Sequence, residues 1–286
     1  MRIIPAFALA VALVCAGCGA TAAGKGRRSV VASFYPLAFA AQQVGSAKVQ
    51  VDNLTPPGAE PHDIELTPGD VAKLQRADVV LYLGDGFQPA VEQAVAGAKG
   101  KRIDALKRLD LRHGVGDEAG KSDPHVWLDP VLFARVVRRI GRALGAPTAG
   151  GRLAARVLAL DRQYRAGLAR CARRDFVTSH AAFGYLAARY GLEQVPITGI
   201  DPESEPSAKH LRNLVDVVRR KHVKVVFFER LVSPKLAKTV AREAGAKAEV
   251  LDPIEGLTPS EQKAGVDYFT LMHQNLRRLR SALGCR

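Results

Sequence analysis

Four side chains could share one ion. His62 lies in PGAEPHDIE, His125 in SDPHVWLDP, His180 directly after FVTS, and Asp252 at the end of AEVLD. Three imidazoles and one carboxylate supply the donors of a tetrahedral zinc site, with ligand bonds of about 2.0–2.2 Å. Imidazole suits zinc and other late transition metals, whereas a set richer in carboxylate suits manganese better. The four are far apart along the chain and HExxH is absent, so neither a zinc finger nor a metalloprotease helix is present. Only the folded chain can assemble such a site.

Other acids stand close enough in sequence to matter. Glu60 precedes His62 by two residues, and Glu229 ends VKVVFFE. Either could replace or join Asp252, which is the preferred fourth ligand. His125 is collared by Asp123 and Pro124 on one side and by Asp129 and Pro130 on the other. A ligating imidazole is usually oriented by a hydrogen bond to its second ring nitrogen. One of the two collar carboxylates is expected to do this for His125. Trp127, the chain's single tryptophan, reads as core packing beside the site. His113, His210, His222 and His273 read as surface residues.

The elements that must position these groups alternate. SVVASFYP, KVQVDNLTP and VVLYLG read as strands; LAFAAQQVG, Thr67 to about Arg76, and QPAVEQAVAGA read as helices. Thr67-Pro68 is a helix start with a hydroxyl cap and proline at the first helical position. Alternation breaks at PVLFARVVRRIGRALG, a single amphipathic helix. GGRLAARVLALDRQYRAGLARCARR follows as one long helix with no proline. RDFVTS, EQVPITGI, VKVVFFE and AEVLD then read as strands, alternating with helices at HAAFGYLAARYG, SAKHLRNLVDVVRRK and PKLAKTVAREAG. Thr258 and Glu261 form a capping box that is expected to open the terminal helix.

The implied class is α/β: two lobes, each a mostly parallel sheet flanked by helices, joined by one long rigid helix. The expected boundaries are a signal peptide over 1–18, a flexible tether over 19–29, lobes over 30–146 and 174–286, and the linking helix over 147–173. In open α/β sheets ligands bind beyond the carboxyl ends of strands. His180 and Asp252 stand just past such ends in the second half, and His62 and His125 occupy loops of the first. Their meeting place would be the cleft between lobes.

MRIIPAFALAVALVCAGC opens with Arg2, runs apolar, and closes on small residues before Cys18. The run is shorter than the ~20 residues that span a bilayer, and reads as an export signal. Cys15-Ala16-Gly17-Cys18 resembles a bacterial lipobox, although Cys15 replaces the usual leucine. Cys18 would then carry the lipid. Of the four cysteines, Cys171 and Cys285 would remain in an oxidising compartment, and a disulfide between them is expected. The net charge is +14, spread through arginine-rich faces such as RVVRRIGR and NLRRLR. An exported chain without aromatic–basic interleaving gives no reason to invoke nucleic acid. Solvated helix faces beside an anionic membrane fit better.

PGAEPHDIELTPGDVAKLQRADVVLYLG, DPHVWLDP, VTSHAAFGYLAARYGL and LDPIEGL resemble, in order, the blocks of the bacterial zinc-binding solute-binding proteins of ABC importers, the ZnuA/TroA-like family. The likeness runs from about Val30 to the end. It implies metal ligation by His62, His125, His180 and a late aspartate, matched here by Asp252. Manganese relatives place a glutamate where His180 stands, so this chain sorts with the zinc binders. The long His- and Asp-rich loop of many zinc members is reduced here to RHGVGDEAGKS. The resemblance implies a lipid-anchored, extracytoplasmic, monomeric receptor that carries Zn2+ as cargo to an ABC permease and is not an enzyme. The alternatives are a zinc hydrolase with a three-histidine site, a manganese or iron transport receptor, and an adhesin. Four protein ligands would favour transport; three plus water would favour catalysis.

Overall fold

The computed structural model describes residues 26–114 and 118–286. The expected export signal, the lipid site at Cys18 and most of the tether lie outside these residues. No helix among the described residues is long and apolar enough to cross a membrane.

Two four-stranded parallel sheets form the frame. The first contains β1 (Arg28–Ala32), β2 (Val49–Asn53), β3 (Val79–Tyr82) and β4 (Lys101–Asp104), in the order β2-β1-β3-β4. The second contains β5 (Asp175–Thr178), β6 (Glu193–Pro196), β7 (Val225–Phe228) and β8 (Lys247–Val250), in the order β6-β5-β7-β8. The two lobes share one topology although no sequence repeat marks it. In each, the chain leaves the first strand to one side and returns on the other, so the crevice opens beyond the strand ends flanking that reversal. The strand KRID was not foreseen. It is a short edge strand whose first two residues, Lys101 and Arg102, are exposed, so it carries no apolar run.

Helices cover both sheets. The first lobe carries α1 (Tyr35–Gly45), α2 (Pro68–Arg76) and α3 (Pro89–Val95). Thr67 caps α2 and shares a reciprocal capping box with Asp70. Between the sheets run α4 (Pro130–Ala143) and α5 (Pro147–Leu168). The 22 residues of α5 extend about 33 Å at ~1.5 Å per residue. The two helices cross closely at Gly141 and Gly150, where a Cβ on either would meet the other's Cα at 2.9 Å. The second lobe carries α6 (Gly184–Tyr190), α7 (Ala208–Arg220), α8 (Lys235–Ala244), α9 (Pro259–Lys263) and α10 (Tyr268–Leu283).

Two expectations about helix ends are corrected. The capping box of Thr258 and Glu261 opens only the five-residue α9, which stops before Gly265 in the left-handed region (φ 68°). The terminal helix starts afresh at α10, capped by Asp267 accepting from Thr270 N. Residues 181–183 form a tight 3₁₀ turn, and the α-helix begins only at Gly184. Cys171 and Cys285 form a disulfide that ties the chain's end to the segment after α5.

The main core does not respect the lobes. Phe34 and Leu81 of the first half, Trp127, Tyr164 of α5, Phe176 and Phe227 of the second sheet, and Tyr268 of α10 belong to one buried cluster. Smaller clusters sit on the outer face of each sheet. Apolar surface therefore bridges the halves continuously, and separating them would expose it to water.

Candidate metal centre

His62 is held by the loop after β2. Its backbone N–H donates to Glu60 Oε2 at 2.8 Å, and the buried Gln88 amide donates to Pro61 O at 3.0 Å. The Phe87 ring packs edge-on against the imidazole, 4.7 Å between centroids. Nε2 of His62 is buried with no hydrogen-bond partner. An orphaned buried nitrogen costs free energy unless something coordinates it.

His125 ends the collared loop, just before a 3₁₀ turn over Val126–Leu128. Asp123 Oδ1 accepts from His125 N at 3.0 Å and pairs with Nδ1 at 2.8 Å. The other collar acid does something else. Asp129 caps α4 through Val131 N and receives the Arg189 guanidinium on both oxygens. Tyr185 of α6 donates to Asp123 O at 2.8 Å, so the second lobe braces the loop. Trp127 is buried and donates to Pro253 O at 2.7 Å.

His180 follows β5 after the single residue Ser179. Its carbonyl accepts from Thr178 Oγ1 and Gln194 Nε2. Glu229, at the end of β7, sets Oε1 2.7 Å from His180 Nδ1 and also accepts from Ser179 Oγ. Each of these two imidazoles thus has a carboxylate on Nδ1, which leaves Nε2 facing the cleft.

The fourth group is Glu255. Its Oε1 lies 3.1 Å from His125 Nε2, 3.4 Å from His180 Nε2 and 3.5 Å from His62 Nε2. His125 Nε2 and His180 Nε2 are 3.3 Å apart. A tetrahedron with ligand bonds of ~2.0–2.1 Å has edges of about 3.3–3.4 Å. Four of its six edges are thereby within a few tenths of an ångström of those a zinc ion would impose. All four ligand atoms lie within 4.8 Å of one another.

Asp252, expected as the fourth ligand, is outside this group. Its Oδ1 accepts from Ile254 N at 2.8 Å and its Oδ2 faces Arg230 at 3.4 Å. Ile254 is left-handed, φ 59°, a conformation that is rare for a β-branched residue. The turn from Asp252 through Ile254 carries the chain back into the cleft and presents Glu255. The Asn275 side chain clamps this turn, accepting from Asp252 N and donating to Asp252 O. Glu60 Oε1 is buried without a hydrogen-bond partner, 4.0 Å from His62 Nε2. Glu229 and Asp123 touch imidazoles instead. His113, His210 and His222 are exposed, and His273 pairs with Gln163.

Electrostatics follow from burial and crowding. Burial pushes Glu255 up, but the His180, His125 and His62 imidazoles outweigh it and hold the carboxyl well below its ordinary range. Burial pulls His180 down, but Glu229 and Glu255 raise it well above its usual value. His125 is likewise raised, Asp123 and Glu255 overcoming burial. His62, with no carboxylate on its second nitrogen, is lowered by burial. Burial and then the Glu255 charge push Glu60 up to about 9. The metal-free site therefore favours a charged Glu255 carboxylate and the protonated forms of His125 and His180 but not of His62, and a divalent cation would compete with those protons.

Comparison with known proteins finds zinc-binding relatives. The family described as ZnuA, zinc-uptake complex component A, periplasmic, matches residues 30–282. The high-affinity zinc uptake system protein ZnuA of Bacillus subtilis (strain 168) is 36% identical over 300 residues, covering 95% of this chain and 94% of its own length. Zinc-binding lipoprotein AdcA of Streptococcus pneumoniae serotype 4 is 34% identical, across 94% of this chain but only 58% of AdcA. The chain thus spans a little over half of that longer relative. Among solved structures, the laminin-binding protein Lmb of Streptococcus agalactiae has a TM-score of 0.83 at 31% identity, covering 90% of this chain and 99% of that one. The Zn(II)-bound ZnuA-like domain of S. pneumoniae AdcA has a TM-score of 0.77 at 36% identity, with 90% and 99% covered. With its matched length, shared fold and three-histidine, one-carboxylate cluster, the chain belongs to the ZnuA family of zinc-uptake components.

Proposed function

We propose that this chain is an extracytoplasmic receptor that captures Zn2+ between its two lobes and hands it to an ABC permease. The ligands are His62, His125 and His180 with Glu255, in place of Asp252. The convergence of three Nε2 atoms and Glu255 Oε1 at near-tetrahedral spacing carries the reading. Four protein donors leave no open position for a catalytic water, which favours holding an ion over hydrolysis. Export and attachment through lipid on Cys18 complete the proposal, with a monomer as the working unit.

The shared core supports a receptor that moves little. Arg189 of α6 grips Asp129, Trp127 reaches Pro253, and Tyr268 donates to Trp127 O. Zinc should reorder loops around His62 and His125 rather than swing the lobes apart.

The test is zinc accumulation in cells lacking their own receptor gene, complemented with this chain or with His180→Ala. Uptake from zinc-depleted medium is expected with the first and not the second. Equal uptake with both would overturn the proposal.

A further inference from the structure

One face of α4 carries arginine at 135, 138, 139 and 142. This i, i+3, i+4, i+7 spacing stacks four cations in one stripe about 10 Å long. Beside them lie Lys101 and Arg102 of the edge strand β4, enclosing a groove of about 740 Å³. The turn after β4 adds Lys107 and Arg108 to the same groove.

Among the described residues none of these cations has a carboxylate within 4 Å. The one acid of the groove, Asp104, accepts from the N–H groups of Gly84 and Leu106. Arg139 is held by the carbonyls of Asp104, Ala105 and Lys107. Burial, and the neighbouring Arg135, Arg142 and Arg108 charges, pull its guanidinium below its ordinary value against the opposing pull of Asp104. Like charges at helical spacing destabilise a helix rather than support it. Lysine on an edge strand has a structural explanation, since it blocks edge-to-edge pairing. That explanation does not reach the α4 stripe.

We propose that this groove docks anionic phospholipid headgroups, so that the first lobe lies against the membrane by its β4–α4 edge. The chemistry fits: guanidinium is the side chain that binds phosphate in a bidentate manner. The geometry fits as well. Lys101 is level with Val79 and Val79 with Val30, so the groove's base is two strands from the start of β1. Two strand spacings are about 10 Å. Arg28 lies ten chain steps after Cys18, a maximal reach of about 33–36 Å. A lipid on Cys18 therefore leaves the groove free to touch the surface that holds the anchor. The proposal rests on the exported, membrane-associated reading above. Its test is independent of zinc.

The mature chain from residue 18 onward, carrying Cys18→Ala so that neither the apolar export signal nor an acyl chain is present, would be sedimented with phosphatidylcholine vesicles and with mixed phosphatidylglycerol–phosphatidylcholine vesicles. Salt-sensitive binding to the mixed vesicles alone is expected. Charge reversal at Arg135, Arg138 and Arg142 should weaken it on the order of a hundredfold, at about one decade or less per basic residue near the surface. The same charge change made at Lys209, Arg212 and Arg220 on α7 should weaken it far less. Equal loss from both triples would show a net-charge effect and overturn the assignment. So would saturable binding of free pyrophosphate to the groove without vesicle binding. Zinc binding is measured in parallel on all three proteins. Its loss in every one would count against the receptor reading, whereas its retention with no vesicle binding would sink only this one.

Discussion

Asp252 Oδ1 accepts the Ile254 N–H at 2.8 Å, and Ile254 sits at φ 59° directly before Glu255. The acid just after β8 therefore builds the turn that delivers the next acid to the cleft. Strain in a β-branched residue persists only where its surroundings over-determine it. Here Asn275 and the Trp127 indole, which donates to Pro253 O, fix both sides of the turn.

The carboxylates behind the imidazoles should matter nearly as much as the ligands. Asp123→Ala removes the acceptor on His125 Nδ1, and Glu229→Ala removes that on His180 Nδ1. Each is expected to lower zinc affinity by about 10–100-fold with the fold intact. Competition titration with a zinc chelator, alongside circular dichroism, reads both. Unchanged affinity in either variant would remove that residue from the site.

Zinc binding should release protons and weaken in acid. His125 and His180 are raised in the metal-free fold, so they hold protons to higher pH than an ordinary imidazole. Affinity should therefore climb as pH rises through their folded values and fall below them. The stability of the metal-free protein runs the other way. Raised histidines contribute stability that is full below about 6.5 and lost as pH rises through their folded values. Glu60, raised to about 9, acts in the same direction, whereas His62 is lowered and opposes it. Glu255 is depressed, so its contribution is present above about 4.5 and lost on further acidification. Between pH 6 and 8 the metal-free melting temperature should fall while that of the zinc-loaded protein does not. Calorimetry in buffers of differing ionisation enthalpy checks the proton count. Zero release near pH 7 would contradict the charge picture.

The disulfide should stabilise the fold without touching the metal site. It spans a sequence separation of 114 between Cys171 and Cys285, and neither cysteine belongs to the three-histidine cluster. Cys285→Ser is expected to cost about 2–4 kcal/mol in denaturant unfolding and to leave zinc stoichiometry unchanged. A loss of zinc binding in the folded variant would show coupling that the structure does not contain.

The three histidines were legible because each stands in a turn-rich loop or just past a strand end, where an α/β crevice forms. The same rule pointed to Asp252, whereas the acid the structure sets beside the three histidines is Glu255. Asp252 stands two residues past β8 and Glu255 three residues later, beyond a left-handed residue that no propensity would assign to isoleucine. The signal available was LDPIEGL itself, a second acid between proline and glycine. The long α5 was visible as an unbroken helical run, although it ends at Leu168 rather than reaching 173. β4 was not visible, because a charged four-residue edge strand has no apolar alternation to read.

The most direct test compares zinc affinity in Glu255→Ala and Asp252→Asn, measured on folded protein by chelator competition. Asparagine can still accept from Ile254 N, and Arg230 keeps Glu261 as a partner, so Asp252→Asn should stay within about tenfold of wild type. Glu255→Ala removes a donor and a charge from the ion and should lose at least about a hundredfold. Affinity that survives Glu255→Ala but collapses in Asp252→Asn would contradict the account.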